Sequence, residues 1–182
     1  MMFDRPPQLA HLEHLGDAAR FAGQMHALIP KCTLLENFTP EEVRTLSQFM
    51  EVYRAAEGME VIREGDGGDF MVMVIEGRVD VRKRDRWNTP QHIATVEPGR
   101  ILGEMSMIDG EARFATCVAA GGPALVGALG RESLAHIIVE QPMLGAKILM
   151  ELVLMLSQRL RVTSDRLMQV LEEQGLHAPG PV

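Results

Sequence analysis

Residues 103–116 of the chain read Gly103-Glu104-Met105-Ser106-Met107-Ile108-Asp109-Gly110-Glu111-Ala112-Arg113-Phe114-Ala115-Thr116. We expect a short helical turn that carries one carboxylate and one guanidinium between two apolar strands. A helix that begins after Gly103 leaves its first backbone N–H groups without intrahelical acceptors, and such groups attract an anion. Arg113 can then return from the following strand and present a planar, charged fork to phosphate oxygens.

Glu104 lies too close to this predicted anion site to serve the anion itself, because the two negative charges would repel each other. A carboxylate at this place is better explained as an acceptor for sugar hydroxyl groups. An anion clamp beside a hydroxyl acceptor indicates a sugar phosphate or a nucleotide. The alternative is an ordinary strand, turn and strand with a surface ion pair.

The chain has 182 residues, of which 46% are hydrophobic and 24% are charged, and its net charge is −7. These values are ordinary for a globular domain, and the length fits one domain with added long helices. The negative charge argues against DNA and anionic membranes as partners. We find no signal peptide or membrane span in the sequence, so we expect a cytoplasmic location. Cys32 and Cys117 are expected to be reduced thiols rather than a disulfide.

Helical patterns dominate the first 50 residues. Apolar residues recur at helical spacing over residues 8–29, which predicts one helix. Thr39-Pro40-Glu41-Glu42 has the pattern of a capping box with proline at the first helical position, which predicts a second helix up to about Met50.

Short β-type segments separated by glycines occupy residues 52–129. Residues 71–75 and 78–81 predict two strands about a turn at Glu76-Gly77. Some eight such segments predict a small antiparallel β-barrel or jelly roll. The acidic stretch 64–69 could suggest calcium, but it lacks the regular oxygen spacing of a calcium loop and is better explained by turn chemistry.

A short helix over residues 131–139 is expected to end near Pro142, and a long helix is predicted from about Met143 to Glu173. A heptad-like seam runs along the long helix through Leu149, Val153, Leu156, Leu160, Thr163, Leu167 and Val170. The first half of this helix is apolar all round, which indicates packing on the chain's own barrel. Beyond Arg159 only one stripe is apolar, which favours a partner helix and hence a parallel homodimer.

The order of these elements resembles that of cyclic nucleotide-binding domains, and residues 103–116 are similar to their phosphate-binding cassette. Residues 159–166, Arg-Leu-Arg-Val-Thr-Ser-Asp-Arg, resemble the dimerisation helix of bacterial catabolite activator proteins. The resemblance covers roughly residues 33–173 and implies an α+β fold, namely an antiparallel β jelly-roll barrel with N-terminal helices and a long C-terminal dimerisation helix. It divides the chain into an N-terminal helical segment (1–32), a barrel (33–142), a long helix (143–173) and a flexible tail (174–182).

The resemblance also implies a set of ligand contacts. Gly103 and Glu104 would receive the ribose and phosphate, and Arg113 would neutralise the phosphate. Thr163 would contact the adenine of its own subunit, and Ser164 would reach the ligand of the other subunit. An alternative for Thr163 is a hydrogen bond to its own helix. The ligand-binding residues predicted in this way are Gly103, Glu104, Met105, Ser106, Arg113, Phe114, Ala115, Thr163 and Ser164.

Three features depart from the family pattern. Too few residues follow the long helix for a helix-turn-helix module, so DNA binding by this chain is not expected. Ala112 stands where many cassettes have proline. Phe114 stands where the family usually has a small or hydroxylated residue, so either its ring turns outward into apolar packing or the pocket is altered or closed.

The function predicted first is a non-enzymatic regulatory domain that binds cyclic AMP, or else cyclic GMP, without any further cofactor, and passes its output to another protein. The second hypothesis is a degenerate domain that acts as a dimeric interaction scaffold without ligand. An enzyme is the third. His92 is the only histidine between Val52 and Leu129, which leaves too few ligands for a metal site in the barrel, and no nucleophile has a recognisable base beside it.

Overall fold

The computed structural model describes residues 5–174, and within that range it contains nine β-strands and five α-helices. The strands are β1 (Glu13–Asp17), β2 (Glu51–Ala55), β3 (Glu60–Ile62), β4 (Phe70–Glu76), β5 (Val79–Arg84), β6 (Pro90–Val96), β7 (Ile101–Leu102), β8 (Thr116–Ala119) and β9 (Ala124–Gly130). The helices are α1 (Ala22–Ala27), α2 (Pro40–Ser47), α3 (Glu104–Asp109), α4 (Arg131–Glu140) and α5 (Pro142–Glu173). The predicted tail lies outside the described residues, except for Gln174.

The strands form two antiparallel sheets. One sheet has five strands in the order β1-β2-β9-β4-β7, and the other has four in the order β3-β8-β5-β6. Side chains from both sheets share one apolar core, and the helices pack on the outer face of the five-stranded sheet. This arrangement confirms the predicted α+β jelly-roll class.

Strand β4 is buried on both of its faces, which explains its uninterrupted apolar sequence. Successive side chains of a strand point to opposite faces. Phe70, Val72 and Val74 therefore lie in the core between the sheets. Met71 and Met73, with Ile75, lie in the core that the sheet shares with the helices. The strand thus separates two cores and holds Phe70 on the inner side.

The predicted helix over residues 8–29 is wrong, because this segment contains a strand and several short helical turns. Strand β1 occupies residues 13–17 and pairs antiparallel with β2, while Gly16 has φ of +101°, a backbone conformation that favours glycine. Leu9 and Leu12 are buried in the core between the sheets. Burial of these two leucines and completion of the sheet edge outweigh the helical spacing, and only 3₁₀ turns and the short helix α1 remain.

The start of α2 confirms the predicted capping box. The Glu42 backbone N–H donates to Thr39 Oγ1 at 3.2 Å, and the Thr39 N–H donates to the Glu42 carboxylate at 2.7 Å. Pro40 is the first helical residue, and the helix ends at Ser47, slightly before the predicted end at Met50.

Helix α5 has two environments along its length. Leu144, Ile148, Leu152 and Met155 are buried in the helix-side core, as predicted for the first half. The seam residues are exposed or only partly buried, and Leu160 keeps 68% of its surface. Residues 157–170 are all exposed within the described chain. The homodimer itself stays a prediction.

Between residues 5 and 174 no helix combines the length and the apolarity that crossing a bilayer requires. Within the same range no cluster of His, Cys, Asp and Glu side chains could hold a metal ion. Residues 64–69 form part of the loop between β3 and β4.

We expect Leu152→Ala to lower the free energy of unfolding by about 2–5 kcal/mol, because it leaves a cavity between α5 and the sheet. Leu154→Ala is the matched control on the same helix, and its half-exposed side chain should cost less than about 1 kcal/mol. Urea denaturation of both variants measures the difference. Equal losses would contradict the assignment of the buried face.

Candidate functional site

Helix α3 is a short turn between two glycines in the left-handed conformation. Gly103 has φ of 77° and Gly110 has φ of 78°, so each allows a sharp change of chain direction. Arg131, the first residue of α4, holds the other end of this turn. Its Nε donates to the Met107 carbonyl at 2.7 Å and its Nη2 to the Ser106 carbonyl at 2.9 Å. The cassette is therefore fixed to the start of α4.

The Arg113 guanidinium is buried beneath this turn, and the residue exposes only 4% of its surface. Nη1 donates to the Gly103 carbonyl at 2.7 Å, and Cζ lies 4.3 Å from the centroid of the Phe70 ring. Nη2 is buried without a hydrogen-bond partner, and among residues 5–174 no carboxylate forms an ion pair with the group. Burial lowers the pKa of Arg113 below its usual value, and the negative charge of Asp69 opposes that shift.

Glu104 is also buried, with 1% of its surface exposed, and it is paired with Arg159 of α5. Arg159 Nη1 donates to Glu104 Oε1, and Nη2 donates to the Ile101 carbonyl at 2.8 Å. Burial raises the pKa of Glu104, while the charge of Arg159 lowers it. The carboxylate predicted to accept from a sugar is thus already bonded to the long helix.

A cleft of about 120 Å³ connects these groups. Its walls include seven of the nine predicted ligand-binding residues, namely Gly103, Glu104, Met105, Ser106, Arg113, Phe114 and Ala115. Arg159 lines the same cleft, and Cys117 forms part of its floor. Burial raises the pKa of the Cys117 thiol to about 12, so this thiol adds no charge to the cleft at neutral pH. Ligand pockets commonly measure about 300–1,000 Å³, so this cleft is smaller than a typical ligand pocket.

The Phe114 ring points away from the barrel interior. The residue is 58% exposed at the rim of the cleft, and the Lys83 ammonium lies 4.5 Å from its ring centroid. The ring therefore turns outward, which is one of the two alternatives that the sequence left open. Its partner is a cation at the surface, whereas the sequence reasoning expected apolar packing.

Thr163 and Ser164 do not line the cleft. Both are exposed on α5, about one turn beyond Arg159. Within the described residues the structure does not bring them to the cassette, so their predicted contacts to a base stay predictions.

Sequence reasoning missed the roles of Arg159 and Arg131. Arg159 lies beside the predicted seam of α5, and Arg131 lies at the start of α4. Their partners could not be read from the sequence, because Glu104 is 55 residues from Arg159 and Met107 is 24 residues from Arg131. Gly68 was also missed. A Cβ at that position would lie 2.5 Å from Arg113 Nη2, so only glycine leaves room for the guanidinium. The consecutive glycines Gly67 and Gly68 were the sequence signal that could have indicated this close approach.

Fold and site together define a β jelly-roll domain that carries a short helical turn over a buried arginine and a long C-terminal helix. The family sequence model named "Cyclic nucleotide-binding domain" matches residues 52–141 of this chain. The crystal structure of a cyclic nucleotide-binding domain from Methylobacillus flagellatus superposes with a TM-score of 0.80 at 35% identity, over 91% of this chain and 96% of that one. The chain belongs to the cyclic nucleotide-binding domain family.

Two other relatives are matched over only part of their own length. The catabolite activator protein of Thermus thermophilus superposes with a TM-score of 0.69 at 26% identity, over 76% of this chain and 62% of that one. The cAMP-dependent protein kinase regulatory subunit of Schizosaccharomyces pombe is 30% identical over 161 residues, which cover 78% of this chain. The match spans 39% of that relative, so this chain corresponds to less than half of its length.

We expect Arg159→Met to lower the free energy of unfolding by about 1–3 kcal/mol, because it leaves the buried Glu104 carboxylate without its partner. Adding Glu104→Gln should recover part of the loss, since a neutral amide is less costly to bury. Chemical denaturation measures both effects, with Arg161→Met on the exposed part of α5 as the control. An unchanged stability of the Arg159 variant would rule out the ion pair.

Proposed function

We propose that this chain is a non-enzymatic regulatory domain that binds a cyclic nucleotide, cyclic AMP in preference to cyclic GMP, and that the bound ligand couples the cassette to helix α5. The domain uses no cofactor other than this ligand. The output passes to a protein partner, and neither DNA nor a membrane is a partner of this chain.

The observation that carries the proposal is the unpartnered Nη2 of Arg113. A buried donor without an acceptor costs about 1–3 kcal/mol, and the cost is greater for a charged group. A phosphate in the cleft would supply acceptors and a compensating charge at once. The adjacent α3 N–H groups would add donors to the same anion.

The Glu104–Arg159 pair supplies a physical link from ligand to helix. A ribose hydroxyl that donates to Glu104 has to share or replace the Arg159 guanidinium, because both approach the same carboxylate. Either event changes the contact that fixes the middle of α5 to the cassette. Binding would thereby shift the population of helix positions.

The preference for cyclic AMP rests on Thr163 and Ser164. Both hydroxyls are exposed and able to reach a base edge only if the second half of α5 comes closer or a second copy of the chain supplies them. A parallel homodimer through the exposed seam would bring a second helix beside the first. It would also bury Leu160 and Leu167, which are exposed in the single chain.

A ligand-free scaffold is the second candidate function, and one observation favours it. Arg159 already satisfies Glu104 and fills part of a small cleft. Such a domain would keep the fold and the dimer while binding no nucleotide. The unsatisfied guanidinium of Arg113 argues against it, since a lost ligand site leaves no reason to retain a buried cation.

Calorimetric titration with cyclic AMP and cyclic GMP tests the two functions directly. We expect saturable binding with tighter affinity for cyclic AMP, and Arg113→Ala should weaken it by about 2–5 kcal/mol, or about thirtyfold to several thousandfold. Arg161→Ala, on the exposed part of α5, is the control and should bind as the natural chain does. A melting curve confirms that the Arg113 variant is folded.

Two results would decide against the proposal. A natural chain that binds neither nucleotide would favour the scaffold. A folded Arg113 variant with unchanged affinity would remove the phosphate from this cassette.

The homodimer is tested on the seam itself. We expect Leu160→Glu combined with Leu167→Glu to convert a dimer into a monomer, because carboxylates would face each other across the helix pair. Arg161→Glu combined with Met168→Glu is the matched control off the seam and should stay dimeric. Analytical ultracentrifugation at micromolar concentration measures the mass, and a monomeric natural chain would overturn the dimer.

A further inference from the structure

The hairpin formed by β5 and β6 ends in a basic tip that the cassette does not use. Residues 82–88 read Arg-Lys-Arg-Asp-Arg-Trp-Asn, so four basic residues and one acidic residue give this stretch a net charge of +3. The whole chain has a net charge of −7, so the rest of it carries −10. The end of the hairpin is therefore a local positive surface on an acidic molecule, and we call residues 84–88 the hairpin tip.

Two of the four cations are already paired with carboxylates. Arg82 pairs with Asp80 at 3.1 Å, and Lys83 pairs with Glu64 at 2.7 Å. These two basic residues are therefore largely compensated within the chain.

The other two cations, Arg84 and Arg86, form no ion pair among residues 5–174. Arg84 Nη1 donates to the Asn88 carbonyl at 3.2 Å, and the Arg84 backbone N–H donates to the Glu64 carboxylate at 3.0 Å. Arg84 is thus close to one carboxylate that Lys83 already holds. Arg86 has only an aromatic partner, and it is the cation of the tip that is most available to an external anion.

That aromatic partner is Trp87, the only tryptophan of the chain. Trp87 keeps 70% of its surface exposed, and the Arg86 guanidinium lies 3.9 Å from its ring centroid. Cation and ring therefore form one stacked unit at the surface. Trp and Arg are among the residue types most enriched at the positions that dominate the binding energy of protein interfaces.

Hydrogen bonds hold the tip in a defined conformation. The Asp85 carboxylate accepts from the backbone N–H groups of Trp87 and Thr89 and from the Gln91 side chain, each at 2.9 Å. Asn88 has φ of 66°, a left-handed conformation that asparagine adopts more readily than most residues. A surface that is already ordered loses less conformational entropy when it binds a partner. The fold thus presents the stacked unit in a fixed position.

The charge distribution favours an acidic protein segment over a nucleic acid or an anionic membrane. Polyanions and anionic bilayers are bound through several cations spread over a surface. Of the four cations only Arg84 and Arg86 are outside ion pairs, and an extended polyanion would also come close to the rest of the chain, which carries −10. A short protein segment meets only the tip, so it avoids this repulsion.

We propose that the hairpin tip is a docking site for a partner protein, whose contacting segment carries carboxylates beside an apolar side chain. The carboxylates pair with Arg86 and Arg84, and the apolar side chain packs on the exposed Trp87 ring. The inference rests on the proposed function only in that the domain passes its output to a protein. It names the surface and the chemistry of that partner, and it does not depend on the nucleotide.

Fluorescence tests the site directly, because Trp87 is the only tryptophan that can emit. The probe is a short synthetic peptide that alternates glutamate and leucine, and the same peptide with glutamine in place of glutamate is its matched control. We expect the glutamate peptide to shift the Trp87 emission to shorter wavelength in a saturable titration and to bind about tenfold more tightly than the glutamine peptide. Added salt should weaken the binding of the glutamate peptide.

Two variants of the tip test the stacked unit. Arg86→Gln should weaken binding of the glutamate peptide about fivefold or more, whereas Arg161→Gln on the exposed part of α5 should change it less than about twofold. Trp87→Ala should abolish saturable binding in calorimetry. Melting curves of both tip variants should match that of the natural chain, because both side chains lie outside the core.

The docking site would be overturned by no saturable shift with the glutamate peptide, by an equal response to the glutamine peptide, or by unchanged affinity in Arg86→Gln. A shift with oligothymidylate or with phosphatidylserine vesicles, and not with the peptide, would assign the tip to a nucleic acid or a membrane and would contradict the proposal. No cyclic nucleotide enters this titration. A natural chain that shows the peptide-induced shift and binds no cyclic nucleotide would overturn the proposed ligand and leave the docking site standing.

Discussion

Burial of the Arg113 guanidinium, which forms no ion pair with a carboxylate among residues 5–174, is the constraint on which the cassette depends. Removal of a cation from water is costly unless hydrogen bonds and opposite charge replace the lost hydration. The fold supplies a carbonyl from Gly103, a ring face from Phe70 and the space left by the missing side chain of Gly68. Strand β4 can hold Phe70 at this place because it is packed on both faces. An anion bound in the cleft would supply the rest of the compensation for the lost hydration of the guanidinium.

Helix α5 connects this site to a surface that the single chain does not cover. Its first half is anchored by apolar side chains and by polar ties, in which Lys147 pairs with Glu42 at 2.7 Å and Asn37 donates to Glu151 at 2.7 Å. Arg159 lies where the buried half gives way to the exposed half. Arg159 therefore joins the cassette to α5 at the start of the exposed half of the helix.

The sequence predicted those elements whose signals are local. The Thr39 capping box, the turn between β4 and β5 and the long helix each depend on neighbours within a few residues, and each is present. The helix predicted for residues 8–29 was wrong because the helical spacing of Leu9 and Leu12 is a local signal. The residues that follow them form β1 at the edge of the sheet, and pairing with β2 is a contact that local spacing does not encode. The Glu104–Arg159 pair and the Gln8–Gly67 contact join residues more than 50 positions apart, and no local pattern encodes such contacts.

Charge balance at the cleft bears on the class of anion. The charged side chains that line it are Glu104, Arg113 and Arg159. The first and last of these pair with each other, which leaves Arg113 as the charged group of the lining without an ion-pair partner among the described residues, although the Asp69 carboxylate acts on it at longer range. A phosphodiester such as a cyclic nucleotide carries one negative charge and would bring the cleft to neutrality. A phosphate monoester carries about −1.5 to −2 at pH 7 and would place surplus negative charge beside the buried Glu104. Because repulsion in a desolvated site is poorly screened, we propose that this cleft prefers a phosphodiester to a phosphate monoester, on electrostatic grounds that are independent of any contact to the base.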